Sequence, residues 1–186
     1  MSTLIVKTLR GMSPTNLITV PSGHSFYAPG HIIQVQSVNK LDTFVTNSTT
    51  YVAVTGLSVS ITPKFTTSTI LVMSCVNGNS QNRGGTLQLW RNGSAILMPT
   101  NYSNRGPTNI GTLWTGDAAG DTGMMFGVST NLLDSPASTS TLTYQIYARA
   151  VDGSAGGTRI NYAADDGDTT DYARTVSTLT LMEIAA

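Results

Sequence analysis

The run Ser177-Thr178-Leu179-Thr180-Leu181-Met182-Glu183-Ile184-Ala185-Ala186 decides how this chain folds. Successive side chains of a strand point to opposite faces, so Leu179 and Leu181 fall on one side and Val176, Thr178, Thr180, Met182 and Ile184 on the other. Apolar residues stand on both. Such a strand is expected in the middle of a sheet, in a β-sandwich that also packs against a neighbouring subunit. Ile70-Leu71-Val72-Met73-Ser74-Cys75-Val76 has the same two-sided character and is the second candidate for that inner sheet, with Asn77-Gly78 read as its exit turn.

Away from these two runs the apolar residues alternate, as half-buried strands require. Ile33 and Val35 alternate with Gln34 and Gln36. Leu57, Val59 and Ile61 alternate with Ser58, Ser60 and Thr62 before Pro63 closes the run. Leu142, Tyr144, Ile146, Ala148 and Ala150 alternate with Thr143, Gln145, Tyr147 and Arg149, and a further strand is expected around Met125 and Val128. Asn92-Gly93, set between residues 87–91 and 94–97, predicts a hairpin, because Asn-Gly tolerates the positive φ angles of a type I′ turn. Residues 98–121 and 152–171 read as long loops, the kind that carry function or make subunit contacts. Helical periodicity is not evident.

Residues 1–30 differ from the rest. Two short β-like runs, residues 4–9 and 16–20, are broken by Gly11 and Pro14 and end in Pro21-Ser22-Gly23 and Ala28-Pro29-Gly30. Two strands alone are marginal in water, so this piece is expected to pack on other copies or on a docking partner. The expected organisation is an extended attachment and oligomerisation segment, 1–30, followed by a sandwich head, 31–186.

Composition points the same way. Charged residues make up 11% of the 186, against about 25% in an ordinary domain. Glu183 is the only glutamate, and Lys7, Lys40 and Lys64 are the only lysines, so helix-favouring charge pairs are nearly absent. The formal net charge is zero, which offers no field to draw nucleic acid or an anionic membrane, and neither is expected as a partner. Residues 1–7 lack the pattern of a secretory signal, so synthesis in a cytoplasm is expected. Cys75 is expected to be a small core residue, not a nucleophile.

Few residues suggest chemistry. His24 and His31 have no helix to bring them onto one face, and no nucleophile elbow, phosphate-cradling loop or His-Glu-x-x-His pair occurs. Asp165, Asp166 and Asp168, with Asp171 nearby, offer oxygen ligands on a Gly-bearing loop that suits Ca²⁺, although the spacing is not that of an EF-hand. The plainer reading is a solvated acidic loop pairing with Arg159 or Arg174, with no cofactor. Asp117 and Asp121 are the pair a glycosidase would need, and both stand in Gly-rich, loop-forming context. Trp114, Tyr102, Asn101 and Asn104 share one long loop and form the candidate glycan-binding patch, set against a structural role in covering the sandwich edge.

The order of several stretches resembles a virion-protein family of marine tailed bacteriophages, cyanophages among them. The stretches are Ser2-Thr3-Leu4-Ile5-Val6-Lys7-Thr8, Pro29-Gly30-His31-Ile32-Ile33-Gln34-Val35, Asp42-Thr43-Phe44, residues 54–63, Asp134-Ser135-Pro136, and Tyr172-Ala173-Arg174 leading into residues 177–184. A weaker likeness, through Arg91-Asn92-Gly93, is to trimeric jelly rolls of the tumour-necrosis-factor type, although the aromatic-Gly pairs of those domains are mostly missing. The resemblances imply a jelly-roll-like, homotrimeric, non-enzymatic virion protein exposed on the particle, a fibre or decoration of tail or capsid. Residues 1–30 would dock on other virion proteins, and Val72, Leu179, Leu181 and Met182 would line the subunit interface. A lectin recognising host-surface glycans and a polysaccharide-degrading enzyme are the alternatives.

Overall fold

A computed structural model describes residues 20–21, 27–80, 84–101, 103–104, 106–114, 123–153, 157–163, 166–170 and 172–186. Most of the expected attachment segment therefore lies outside the described residues. The described chain is all-β, with eleven strands in two sheets.

The first sheet is built on β4 (Thr69–Ser80) and β11 (Ser177–Ile184). β11 pairs with β1 (Ile32–Lys40) on one side and with the first half of β4 on the other. Beyond it the short β10 (Thr158–Ile160) takes over the same edge of β4 and pairs onward to β2 (Phe44–Thr46). The opposite edge of β4 carries β8 (Phe126–Asp134) along nine residues. Both two-sided runs thus sit centrally, as their composition predicts.

The second sheet runs β3 (Val52–Ile61), β9 (Leu142–Ala150), β5 (Gly85–Arg91), with β6 (Ser94–Ala95) and β7 (Gly111–Leu113) both paired to β5. The core is the alternate residues of the two sheets. Leu57, Ile70, Val72, Leu87, Tyr144, Ile146, Leu179 and Leu181 are all 0% exposed. Each large apolar side chain removed from water in this way contributes about 1.5–3 kcal/mol before the cost of ordering the chain.

Several local expectations are met in detail. Asn92 and Gly93 have φ of 49° and 78°, and Arg91 pairs with Ser94 across them, the geometry of the predicted tight turn. Every inward position predicted for β9 is buried. Gly56, at φ 80°, lies where the β3–β9 register slips between Ala53 and Ser58, and the bulge places it beside the buried Lys40 side chain.

Four expectations need correction. Asn77-Gly78 is no turn: both residues continue β4 and pair with β8, and Gly78 is required because a Cβ there would stand 2.1 Å from the Arg159 carbonyl oxygen. Val35 is 49% exposed, because the β1–β11 register turns Gln34 towards the Glu183 carboxylate instead. Cys75 is half-buried on the outer face of β4, not in the core. The two long loops contain β7 and β10, strands too short to leave a periodic signal.

Candidate functional site

Strand pairing places matched residues on the same face, so the outer face of the first sheet can be read as rows. One row is Val35, Met182, Leu71 and Leu133; the next is Ser37, Thr180, Met73 and Asn131; the third is Asn39, Thr178, Cys75 and Ser129. Ile32 and Ile184 extend the first row's apolar end. Apart from the Cys75 thiol, none of these residues is ionisable. Ile32, Val35, Met73 and Leu133 are 46%, 49%, 37% and 60% exposed. A shallow groove of about 330 Å³ crosses the middle of this face, lined by Met73, Cys75, Ser129, Asn131, Thr178 and Thr180. An uncharged apolar-and-hydroxyl face of this extent is what monomers normally avoid.

Of the four residues expected at a subunit interface, only Met182 stands here. Val72, Leu179 and Leu181 are 0% exposed inside the sandwich, because they lie on the inward phase of their strands. They bind the two sheets together and present nothing to a neighbouring copy.

The outer face of the second sheet is built differently. Thr86, Gln88 and Trp90 from β5 face Arg149, Tyr147 and Gln145 from β9. The Trp90 and Tyr147 rings stack at 4.1 Å with planes 11° apart, and Tyr51 lies 6.5 Å from Trp90. The Arg149 guanidinium carbon sits 5.1 Å from the Tyr51 ring centroid. The polar tips are tied down: Trp90 Nε1 donates to Gln88 Oε1 at 2.9 Å, Gln88 Nε2 to the Pro107 carbonyl at 2.8 Å, and Arg149 Nε to Thr86 Oγ1 at 3.1 Å. Sequence reading missed this cluster. Its signal lies in the outward phase of β9, where Tyr147 and Arg149 read only as the polar half of an alternation.

Between the sheets, polar groups act as fasteners. Asp134 at the end of β8 accepts from Arg91 Nη1 at 2.5 Å and from the Tyr144 hydroxyl at 2.6 Å, joining the first sheet to two strands of the second. Burial, reinforced by that hydrogen bond, pushes the Tyr144 phenol well above its ordinary value. Glu183, fully buried, accepts from the Lys64 backbone N–H at 2.7 Å and from Gln34 Nε2 at 2.6 Å. Lys40 reaches Asp42 at 2.8 Å, and its hydrogen bond holds that carboxyl below the usual range. Asn161 Nδ2 donates to the Lys40 and Asp42 carbonyls, while its Oδ1 accepts from Ser177.

The expected glycan and metal residues are placed less coherently. Trp114 is 53% exposed just after β7, against Gly84. Asn101 and Asn104 are exposed in the connection from β6 to β7, and Tyr102 lies outside the described residues. That connection is laced to β5 through Asn109, whose side chain bonds the Leu89 N–H and the Leu89 and Ile96 carbonyls. Asp166 pairs with Arg174 at 2.6 Å, as the plainer reading of the acidic loop expects, and Arg174 lies over the Tyr162 ring. Asp168 is exposed; Asp165, Asp117 and Asp121 lie outside the described residues. Among the described residues no three His, Cys, Asp or Glu side chains are grouped to hold a metal ion. No protein-family model matches this chain, and no curated protein matches it.

Proposed function

We propose that this chain is a non-enzymatic structural protein of a bacteriophage particle, a fibre or fibre-like appendage of tail or capsid, assembling as a homotrimer around the outer face of its first sheet. The observation that carries the reading is that face: three rows of residues across β1, β11, β4 and β8 without one Asp, Glu, Lys, Arg or His side chain. A surface of that kind loses little on leaving water and gains by meeting its own copy, since no like charges are brought together. The strand order supports a jelly roll. With β2 and β10 prolonging β1 and β11, the sheets read β1-β11-β4-β8 and β3-β9-β5-β7, an arrangement of eight strands in two interleaved Greek keys.

The non-enzymatic part of the reading draws on how four of the six described carboxylates are used. Asp134, Glu183, Asp42 and Asp166 each hold a donor that fixes the framework. Residues 1–30 dock the head on other virion proteins in this account, leaving the sandwich exposed on the particle. Antibody raised against the purified chain should decorate intact particles from its native source in electron micrographs. Particles that stay unlabelled while the chain is present in the same lysate would contradict the assignment. Incubation with host envelope polysaccharide should release no oligosaccharide; release would favour a degrading enzyme.

A further inference from the structure

The aromatic cluster of the second sheet faces away from the proposed assembly face, and nothing in the assembly reading uses it. Outward positions of a sandwich strand are ordinarily polar and solvated, yet here a Trp, two Tyr and an Arg converge. All four are half-buried, so part of each remains open to solvent. The polar tips of Tyr51, Trp90 and Arg149 are held by Thr86 and Gln88, which leaves ring surface presented and fixes these side chains before any ligand arrives.

Arg149 carries the second observation. Arg91 is paired with Asp134 and Arg174 with Asp166, but among the described residues Arg149 has no carboxylate partner. Its Nε is committed to Thr86, while its Nη2 lies at the rim, beside the backbone of Gly106. Arg149 and Tyr147 are two residues apart on the same face of β9, about 7 Å along the strand. A guanidinium at that distance from a ring stack matches a pyranose bearing a carboxylate: the C–H face of the sugar lies on the aromatic rings, and the acid meets the fork of N–H donors.

We infer that the Tyr51–Trp90–Tyr147 cluster with Arg149 is a binding platform for acidic glycans, chains of uronic-acid or similarly carboxylated pyranose units. The platform is open, so a single site binds weakly, at about millimolar Kd, and copies carried on one oligomer strengthen attachment through multivalency.

The test is a titration of the ¹⁵N-labelled full chain with trigalacturonate, trimannuronate and α2,8-linked trisialic acid, reading the two tryptophan indole signals, with Trp114→Phe used to assign them. At least one acidic trisaccharide should shift the Trp90 indole at millimolar concentration and leave that of Trp114 in place. Arg149→Gln should weaken that binding about tenfold with the thermal midpoint unchanged, and Tyr147→Phe, which keeps the ring and the Trp90 reporter, should retain it within a few-fold. The methyl ester of the trisaccharide that binds, uncharged, should bind as weakly as the acid binds to Arg149→Gln. No shift with any of the three acids, a shift confined to Trp114, or equal binding of acid and ester would each overturn the inference.

Discussion

The outer faces of the two sheets arise from the same strand alternation and carry opposite chemistry. On the first sheet, β11 and β4 turn Met182, Thr180, Leu71 and Met73 outward, with no charge among them. On the second, β9 and β5 turn out Arg149, Tyr147, Trp90 and Gln88, whose polar atoms are largely bonded to one another. The second face holds its own side chains in place and leaves ring surface open. The first leaves apolar surface exposed, which the proposed assembly would cover. Burial on the inward phase makes the fold; what differs between the outward phases is what each face is left to bind.

The comparison breaks most sharply at two adjacent residues. Leu181→Asp puts an unpaired carboxylate at a fully buried position and should cost several kcal/mol, enough to prevent folding, as circular dichroism and urea titration would report. Met182→Asp, one residue on, should leave a folded chain with a near-normal urea midpoint and no self-association. If both variants unfold alike, the outer face of β11 is part of the core. Next in size is Asp134→Ala, which leaves Arg91 and the Tyr144 hydroxyl without their shared acceptor; equilibrium unfolding should show a loss of about 2–4 kcal/mol, with Arg91's partial exposure keeping it at the lower end.

Tyr144 also gives the sandwich a pH signature. Its folded pKa is raised, so its contribution is complete below the unfolded value of about 10 and is lost as pH climbs from there towards the folded value. Tyr144→Phe should cost about 1–2 kcal/mol near neutrality and flatten the alkaline decline of stability; an unchanged decline above pH 10 would assign it to other groups. The smallest effects separate the faces again. Gln145→Lys on the aromatic face should alter stability by under about 0.5 kcal/mol and leave the mass in solution unchanged. Thr180→Lys, equally mild for the monomer, should weaken association by placing like charges together.

Much of this architecture is legible in the sequence because burial writes a period of two. Residues 142–150 and 177–184 gave their strands and inward faces directly, and Asn92-Gly93 its turn. What could not be read was set by tertiary contacts. Gly78 resembles a turn residue until the Arg159 carbonyl occupies the space where its Cβ would be. Val35 belongs outside only because Glu183 draws Gln34 inward, and Val72, Leu179 and Leu181 looked like interface residues because two-sided strands do not say which side is internal. The aromatic platform draws on Tyr51, just before β3, and on β5 and β9, which strand pairing brings together, whereas Trp114 stands out in the sequence as an aromatic in a long loop.

The mass of the purified chain in solution, by sedimentation equilibrium at micromolar concentration, tests the central claim most directly. The expected result is a species of about three times the 19.6 kDa chain mass, which Met182→Asp reduces to a folded monomer. A wild-type chain that sediments as a single 19.6 kDa species would contradict the assignment of the uncharged face to self-assembly.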